Sequence, residues 1–344
     1  MWGVTPTIPL MIWRRHLLIF ALFLSPIAGL CQDDLGKFTS RPAPEEGPTK
    51  VVIRVIMLDL DDISGANQTY TANVAYMARW QDDRLRHDSP GNKATSLSQI
   101  WHPRIQILNR QRLQETFPEQ ASVSPSGEVE VLQRVWGQFS QPLVLHDFPF
   151  DHQTLNFDLV AAGHEPGSLE LIADPEHPSQ IADTFSVSDW AVSEWGSKPV
   201  MHSLVSGDNP VPLFRMFLTM KRNSGYHLIN FILPLVMIIC MSWIVFWIPP
   251  SNTGPRVSVS VTSMLTLVAY RFAVGASLPK IAYLTRMDWF ILGSSFLIFF
   301  ALVQVVVTSW MADNDNLATA RRVNKWMRCI SPVALVLIFW LSLF

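Results

Sequence analysis

Four apolar segments fill the C-terminal part of the chain, and they constrain the fold more than any other feature. The segments are Tyr226–Ile248, Val257–Val274, Trp289–Trp310 and Cys329–Phe344. A helix needs about 20 such residues to cross a bilayer, and the fourth segment is at the short end of the workable range. Helices satisfy their own backbone hydrogen bonds, which the hydrocarbon requires. The sequence therefore predicts a four-helix transmembrane domain over residues 223–344.

The stretch Arg256–Lys280, which contains the second segment, is rich in hydroxyl side chains for a membrane helix. Residues spaced by three or four positions share one helical face. Such a face contains Ser258, Thr262, Leu265, Ala269 and Phe272. It suits a water-filled pore, where hydroxyls replace ion hydration and apolar rings close the path by dewetting. Small and hydroxyl residues also let membrane helices pack closely, so the spacing alone leaves both interpretations open.

Residues 51–222 have the pattern of an all-β domain. Val51–Leu60 and Thr69–Trp80 combine β-branched and aromatic residues with alternation, and turn residues bound them. Further predicted strands are Glu128–Val135, Thr154–Leu159, Ser168–Ile172, Phe185–Val192 and Leu213–Lys221. Several short strands separated by Pro and Gly predict a β-sandwich.

The N-terminus has the pattern of a secretory signal. Arg14 and Arg15 precede the apolar run Leu17–Leu24, and small residues follow it. We therefore predict a signal peptide at residues 1–31 and a polar linker at 32–50. The β domain would then be periplasmic or extracellular, and the four helices would cross the inner (plasma) membrane.

Composition and motifs argue against several classes of function. A formal net charge of −2 gives no general attraction to nucleic acid. The cysteines Cys31, Cys240 and Cys329 lie in the signal segment and two apolar spans, so no disulfide framework is expected. Neither Gly-x-Ser-x-Gly nor His-Glu-x-x-His occurs. The sequence predicts a protein that is not an enzyme and that has no cofactor and no metal site.

A series of short motifs runs through both predicted domains in a fixed order. They are Leu60-Asp61-Asp62, Trp80 with Asp82-Asp83-Arg84-Leu85, Trp101-His102-Pro103, Phe148-Pro149-Phe150-Asp151 with Gln153, Arg222, Phe231-Ile232-Leu233-Pro234, Ser242-Trp243, Phe246-Trp247 and Leu278-Pro279-Lys280. In this order the chain resembles the pentameric ligand-gated ion channels, the Cys-loop receptor superfamily, and most closely their bacterial members. The resemblance implies a homopentamer around a central pore for inorganic ions. It also implies that the Ser258–Phe272 face lines that pore, with Leu265 and Phe272 as gate rings.

The chain departs from the animal receptors at the loop that gives the superfamily its name. Two cysteines flank that loop in those receptors, and the matching positions here are Gln141 and Leu155. No bridge can form, as in bacterial relatives. We expect Phe148, Pro149 and Phe150 to hold the loop by packing and by its turn.

The resemblance places ion selectivity at Gly254, Pro255 and Arg256, just before the second span. Cation-selective members usually carry a glutamate there, whose ring of carboxylates concentrates cations. This chain has no carboxylate between Trp247 and Arg256. The pattern favours anion (chloride) conduction, and cation selectivity is the alternative.

The resemblance places an agonist between subunits, but three usual aromatic positions are Ala75, Leu108 and Ala162. An ammonium ligand needs aromatic faces, so a quaternary amine is not expected. The remaining predicted neighbours of the pocket are Asn73, Met77, Asn109, His164, Glu165 and His202. Nine histidines and the acidic cluster Asp59, Asp61 and Asp62 leave protons as an alternative stimulus. A non-conducting exported binding module is a more distant alternative.

The resemblance also implies residues that couple the two domains. Asp61 and Asp62 are placed in the turn between the first two strands. Phe148, Pro149, Phe150, Asp151 and Arg222 are expected at the same junction, facing the link that contains Pro279 and Lys280. A basic residue beside carboxylates there offers charge-assisted bonds that can differ between two states.

Overall fold

The computed structural model describes residues 38–165, 167–203, 209–275 and 281–343. In these residues two sheets precede four long helices. Within the described residues the strands are β1 (Thr49–Ser64), β2 (Thr69–Gln81), β3 (Lys93–Ser96), β4 (Ile105–Ile107), β5 (Arg110–Glu115), β6 (Gln120–Val123), β7 (Glu128–Ser140), β8 (His152–Ala161), β9 (Leu169–Ala173), β10 (Gln180–Ile181), β11 (Trp190–His202) and β12 (Val211–Arg222). The predicted signal peptide lies outside the described residues.

The larger sheet is built on the long strands β1, β2 and β7, which pair antiparallel. Its order is β10-β1-β2-β7-β6-β3, with β5 on β7 and β9 on β1. The second sheet has the order β11-β12-β8-β4. Between the sheets lies a core in which Tyr70 stacks on Phe139, and Phe139 meets Phe157 edge-to-face. The alternating strands bury one face each, which is the sandwich that the sequence predicts.

The long alternating strands were predictable, whereas the short polar ones were not. Strands β3 and β5 carry mostly polar side chains, and β5 reads RQRLQE without alternation. Strand β6 alternates but has only four residues, QASV. The predicted strand Phe185–Val192 is wrong over its first half, because strand β11 begins only at Trp190. Ser186 and Val187 instead bond irregularly to the end of β1, through Asp59 and the Leu60 carbonyl.

Four helices in the described part of the chain are long and apolar enough to cross a membrane: α1 (Gly225–Trp247), α2 (Thr253–Gly275), α3 (Arg286–Asp313) and α4 (Leu317–Leu343). Helix α1 contains a π-helical turn at Leu228–Ile232, which ends two residues before Pro234. A proline cannot donate to the carbonyl four residues earlier, and a π turn is one way in which a helix absorbs that loss.

Helix α4 begins at Leu317, well before the apolar segment that starts at Cys329. Its first turns are basic, with Arg321, Arg322, Lys325 and Arg328, so an apolar window misses them although they are good helix formers. Arg328 donates to the Phe246 carbonyl at 3.0 Å, which ties this basic end to the end of α1. The Ile338 side chain of α4 packs directly on the α3 backbone at Gly293, where an added Cβ would lie 2.7 Å from Ile338 Cγ2.

Candidate functional site

The predicted pore face forms one unpacked stripe on helix α2. All five of its residues, Ser258, Thr262, Leu265, Ala269 and Phe272, are exposed in the single chain. The opposite face, with Ser260, Ser263, Leu267 and Val274, is buried against the other helices. Leu265 is 64% and Phe272 is 79% exposed, which is unusual for large apolar side chains unless a partner, lipid or a pore adjoins them.

The three residues assigned to selectivity do not share one environment. Gly254 and Pro255 are exposed in the first turn of α2, whereas Arg256 is fully buried. The sequence put all three at the pore entrance, and the structure turns the Arg256 side chain away from the exposed stripe. The reason is helical phase, because Arg256 shares its face with the buried Ser260 and Ser263.

The buried Arg256 guanidinium is held by neutral groups of α3 and α4. Its Nη2 atom donates to Thr308 Oγ1 at 2.9 Å and to Asn324 Oδ1 at 3.1 Å, and Nη1 donates to Ser309 Oγ at 3.4 Å. Gln304 Nε2 also donates to Asn324 Oδ1, at 2.8 Å. Among the described residues no carboxylate pairs with Arg256. The bundle therefore contains an uncompensated positive charge near the start of helix α2.

A second buried arginine, Arg222, lies at the junction of the two domains and has a counter-ion. Its Nε donates to Asp151 Oδ1 at 2.7 Å and its Nη2 to Asp151 Oδ2 at 3.3 Å. Asp189 Oδ2 lies 3.7 Å from Nη1. The guanidinium also stacks between two rings, 5.0 Å from the Phe148 centroid and 4.1 Å from the Trp190 centroid. Bidentate pairing and stacking on aromatic faces both favour arginine over lysine at this position.

The loop that carries Phe148 docks on the start of helix α3, a contact that the sequence did not indicate. The Arg286 N–H donates to the His146 carbonyl at 3.0 Å, and the Met287 N–H donates to the Phe148 carbonyl at 3.3 Å. These amides belong to the first helical turn, where the helix itself offers no acceptor. Arg286 Nε also bonds Asp147 Oδ1 at 2.8 Å. No sequence signal marks backbone acceptors, which explains the miss.

A tyrosine before α3 extends this contact. The Tyr283 ring stacks on His146, with centroids 3.9 Å apart. Its hydroxyl accepts a hydrogen bond from the Leu145 N–H at 2.9 Å. The extracellular loop and the third span therefore share side-chain and backbone contacts.

Two of the other predicted coupling residues lie at positions different from those that the sequence predicted. Asp61 and Asp62 belong to strand β1 and not to the β1–β2 turn, so that assignment is wrong. Asp61 is the extra residue of a β-bulge, and its carboxylate accepts from Trp136 Nε1 at 2.8 Å. A bulge adds a residue without ending the strand, which a turn-based interpretation misses. Pro149 is buried beside Phe148 and Phe150 is half-buried; Pro279 and Lys280 lie outside the described residues.

Two glutamines join the arms of the loop where the animal receptors have a disulfide. Gln141 Nε2 donates to the Thr154 carbonyl, and Gln141 Oε1 accepts from the Asn156 N–H at 2.8 Å. Closer to the apex, Gln153 Oε1 accepts from the Val144 N–H at 3.1 Å and Gln153 Nε2 donates to the Val144 carbonyl at 2.7 Å. Packing of Phe148 is thus only part of what holds this loop.

The residues of the predicted agonist pocket are divided between the two sheets. Asn73, Ala75 and Met77 lie on β2, in the larger sheet. The other six, Leu108, Asn109, Ala162, His164, Glu165 and His202, lie on or beside strands of the smaller sheet. Asn109 is already engaged, since its Nδ2 donates to the Asn156 carbonyl at 2.8 Å.

Two histidines lie beside cavities near the end of the sandwich that is remote from the helices. Cavities of about 530 and 340 Å³ share His102 and Arg104 in their walls, and His164 lines the smaller one. Burial and the nearby Arg104 guanidinium lower the pKa of His102. Burial also lowers the pKa of His164, against the opposing effect of its hydrogen bond to the Pro103 carbonyl. Both imidazoles therefore favour the neutral form more than a free histidine does.

Comparison with known proteins decides the family. The model of the neurotransmitter-gated ion-channel ligand binding domain matches residues 31–223, and that of the transmembrane region matches residues 231–338. The chain belongs to the neurotransmitter-gated ion channels. Members of this family are pentameric membrane channels and not enzymes, with an extracellular ligand-binding domain before four transmembrane helices.

Relatives of this channel differ in stimulus. A proton-gated ion channel of Gloeobacter violaceus is 24% identical over 303 residues, which cover 87% of this chain and 84% of the relative. A glutamate-gated chloride channel subunit beta of Haemonchus contortus is 27% identical over 300 residues, or 82% and 69% of the two chains. The pH-sensitive chloride channel 2 of Anopheles gambiae is 21% identical, covering 81% of this chain and 48% of the relative.

Proposed function

We propose that this protein is a homopentameric channel that conducts anions when a stimulus acts on its extracellular domain. In this proposal the α2 helices surround the pore, with the Ser258–Phe272 stripe facing the lumen. Leu265 and Phe272 form the apolar rings that exclude water in the closed state. The exposure of all five stripe residues in the single chain supports this arrangement, because a pore-lining face is left uncovered by the chain's own helices.

The observation that carries anion selectivity is the chemistry at the start of α2. The N-terminus of a helix is its positive end and favours anions. Gly254 and Pro255 expose that end, and no carboxylate follows Trp247 before Arg256. The Arg256 charge is buried behind the same turn without a counter-ion among the described residues. The exposed helix N-terminus and the buried Arg256 charge both make the electrostatic potential at the pore entrance more positive, and no nearby carboxylate offsets them.

Reversal potentials in a chloride gradient test the sign of the permeant ion. The wild-type reversal potential should follow the chloride equilibrium potential, and one that follows sodium would overturn the anion assignment. The Gly254→Glu variant adds five carboxylates at the entrance and should move the reversal potential toward that of sodium. Gly254→Gln is the matched neutral control and should leave it near the chloride value.

The agonist should bind between subunits and should not be a quaternary amine. Ala75, Leu108 and Ala162 offer no aromatic face to an ammonium group. Amino acids, organic acids and choline should therefore be applied separately to the same membranes. A saturable current evoked by choline would contradict this part of the proposal. A folded protein without current under any stimulus would favour the non-conducting binding module.

The structure favours protons as a second candidate stimulus at one place. Protonation of His102 or His164 would put a new charge beside Arg104, and the lowered pKa values mean that both are neutral near pH 7. Charge repulsion there would begin only on acidification. A step from pH 7.5 to 5 should evoke current in wild type, and the His102→Gln and His164→Gln variants should need more acid. Unchanged responses in both variants would remove these histidines from the sensing role.

A further inference from the structure

The loop between β7 and β8 is closed by side-chain amides. A primary carboxamide offers one acceptor and N–H donors on adjacent atoms, as a backbone peptide does. Gln141 uses them on the two backbone groups that flank Leu155, the Thr154 carbonyl and the Asn156 N–H. Gln153 uses them on both backbone groups of Val144. Each glutamine thus supplies the reciprocal pair of bonds that joins antiparallel strands.

The inner glutamine also reaches the buried ion pair. Gln153 Nε2 donates to Asp151 Oδ2 at 2.7 Å, the same carboxylate that binds Arg222. Gln153 is itself 3% exposed, so water offers it little alternative. Beyond Gln153 the loop apex continues to the carbonyls of His146 and Phe148, which hold the first amides of α3. Gln153 therefore joins both arms of the loop to the Asp151–Arg222 pair, Gln141 joins the same two arms farther from the apex, and the apex contacts the third span.

We propose that Gln141 and Gln153 are positioning residues, which close the loop by reversible hydrogen bonds and hold its apex against Arg222 and helix α3. A disulfide at this place would fix the two arms permanently. Paired amide bonds exchange with water when the arms separate, so the loop can open and reclose without a covalent step. The gating part of this inference rests on the proposed channel function, whereas the closure and docking parts do not.

Hydrogen–deuterium exchange of the full chain tests closure and docking. The variant Gln141→Met keeps the length of the side chain and removes both bonds. Exchange at the Asn156 amide should rise about tenfold or more, since the loss of such bonds lowers the local opening free energy. The amides of Arg286 and Met287 should also exchange faster. The matched control is Gln138→Met on the same strand, because among the described residues the Gln138 side chain has no hydrogen-bond partner; it should match wild type.

The remote amides separate positioning from local structure. Faster exchange at Asn156 with unchanged exchange at Arg286 and Met287 would overturn the positioning role. Unchanged exchange at Asn156 would overturn the closure itself. The Gln153→Met variant should affect the Val144 amide in the same way and should also weaken the Arg222 contact.

A covalent rescue provides the second test. The double variant Gln141→Cys with Leu155→Cys, once its disulfide is verified by mass, should restore protection at Arg286 and Met287, and reduction should abolish it. The single variant Leu155→Cys accounts for the lost packing of that buried side chain. An oxidised double variant without protection would contradict the inference.

Currents complete the test where the wild type conducts. Gln141→Met should reduce the evoked current at equal surface expression, and oxidation of the double variant should restore it. Altered exchange with unchanged current would limit the glutamines to a structural role. A wild type without current would reject the proposed function and leave the exchange results standing.

Discussion

Two arginines, Arg222 and Arg256, are both buried but are bound in opposite ways. Arg222, at the junction of the domains, has a bidentate carboxylate and two aromatic faces. Arg256, in the first turn of helix α2, has two hydroxyls and one amide oxygen. The first charge is paired with a buried carboxylate, and the second is a full charge without a carboxylate partner among the described residues. Removing one member of a buried ion pair strands the other charge and lowers the stability of the fold. A charge without a counter-ion has no partner to lose, and its effect on its surroundings comes from its electric field.

The largest loss of stability should follow when Arg222 loses its buried carboxylate partner and is left, like Arg256, without one. Asp151→Asn leaves the Arg222 charge with only Asp189, at 3.7 Å. Stranding one member of a buried pair costs about 3–5 kcal/mol. We expect a large drop in the thermal midpoint of the solubilised protein and impaired assembly or gating.

The control for that change is Asp189→Asn. The Asp189 side chain is 47% exposed, so its pairing contributes at most about 1 kcal/mol. Normal expression and currents in Asp151→Asn, or equal losses in the two variants, would contradict the assignment of Asp151 as the main partner. Arg222→Gln should behave like Asp151→Asn for the same reason.

The opposite exchange makes Arg256 resemble Arg222. Asn324→Asp places a carboxylate 3.1 Å from the guanidinium and removes the buried Nδ2 that lacks a partner. Hydrogen bonds to charged groups contribute about 1.5–3 kcal/mol, partly offset by burial of the new charge. The thermal midpoint should rise, and the chloride preference should fall because the charge is neutralised. A lower midpoint would show that Arg256 does not need a counter-ion.

A smaller effect is expected when the unpaired charge is removed. In Arg256→Met, Thr308 still donates to the Gln304 carbonyl, and Asn324 Oδ1 still accepts from Gln304. Replacing a buried charge by an apolar side chain of similar length often leaves stability unchanged. We therefore expect the free energy of unfolding to change by less than about 1 kcal/mol. The reversal potential should move away from the chloride value. A loss of stability as large as that of Asp151→Asn would contradict the claim that the two arginines are bound in different ways.

The smallest effect should be the pH dependence at the two cavity histidines. Their folded pKa values lie below the unfolded value, so the unfolded chain binds more protons in that window. Stability is full above a pH of about 6.5 and falls as the pH drops toward the folded pKa. Thermal midpoints from pH 7.5 to 5 should decrease, and the double variant His102→Gln with His164→Gln should flatten the decrease. The Arg256→Met variant should keep the wild-type slope.

The sequence predicted the frame of the molecule better than its contacts. Alternation revealed β1, β2, β7 and β12, and length revealed the four helices, because these patterns report burial directly. Strand β5 has no such pattern, since it pairs along a sheet edge with mostly polar side chains. Among site residues, periodicity found the exposed stripe of α2. It could not show that Arg256 binds Thr308 and Asn324, which are distant in sequence.

The Arg222 contact was predictable only through family resemblance, and the docking on α3 was not predictable by either route. A motif shows Phe148 and Asp151 together because they are neighbours in the chain. The Trp190 face and the Arg286 and Met287 amides come from segments without a shared motif. Their meeting depends on the register of β11 on β12, where Trp190 lies opposite Arg222.

The docking of the loop on α3 has a consequence for tolerance to sequence change. Main-chain carbonyls at His146 and Phe148 accept from main-chain amides at Arg286 and Met287. Every residue carries that carbonyl, and every residue except proline carries that amide. The side chains at these positions can therefore change during evolution while the main-chain contacts between the two domains persist. Related channels can differ in the side chains of this loop and keep the same attachment to the membrane helices.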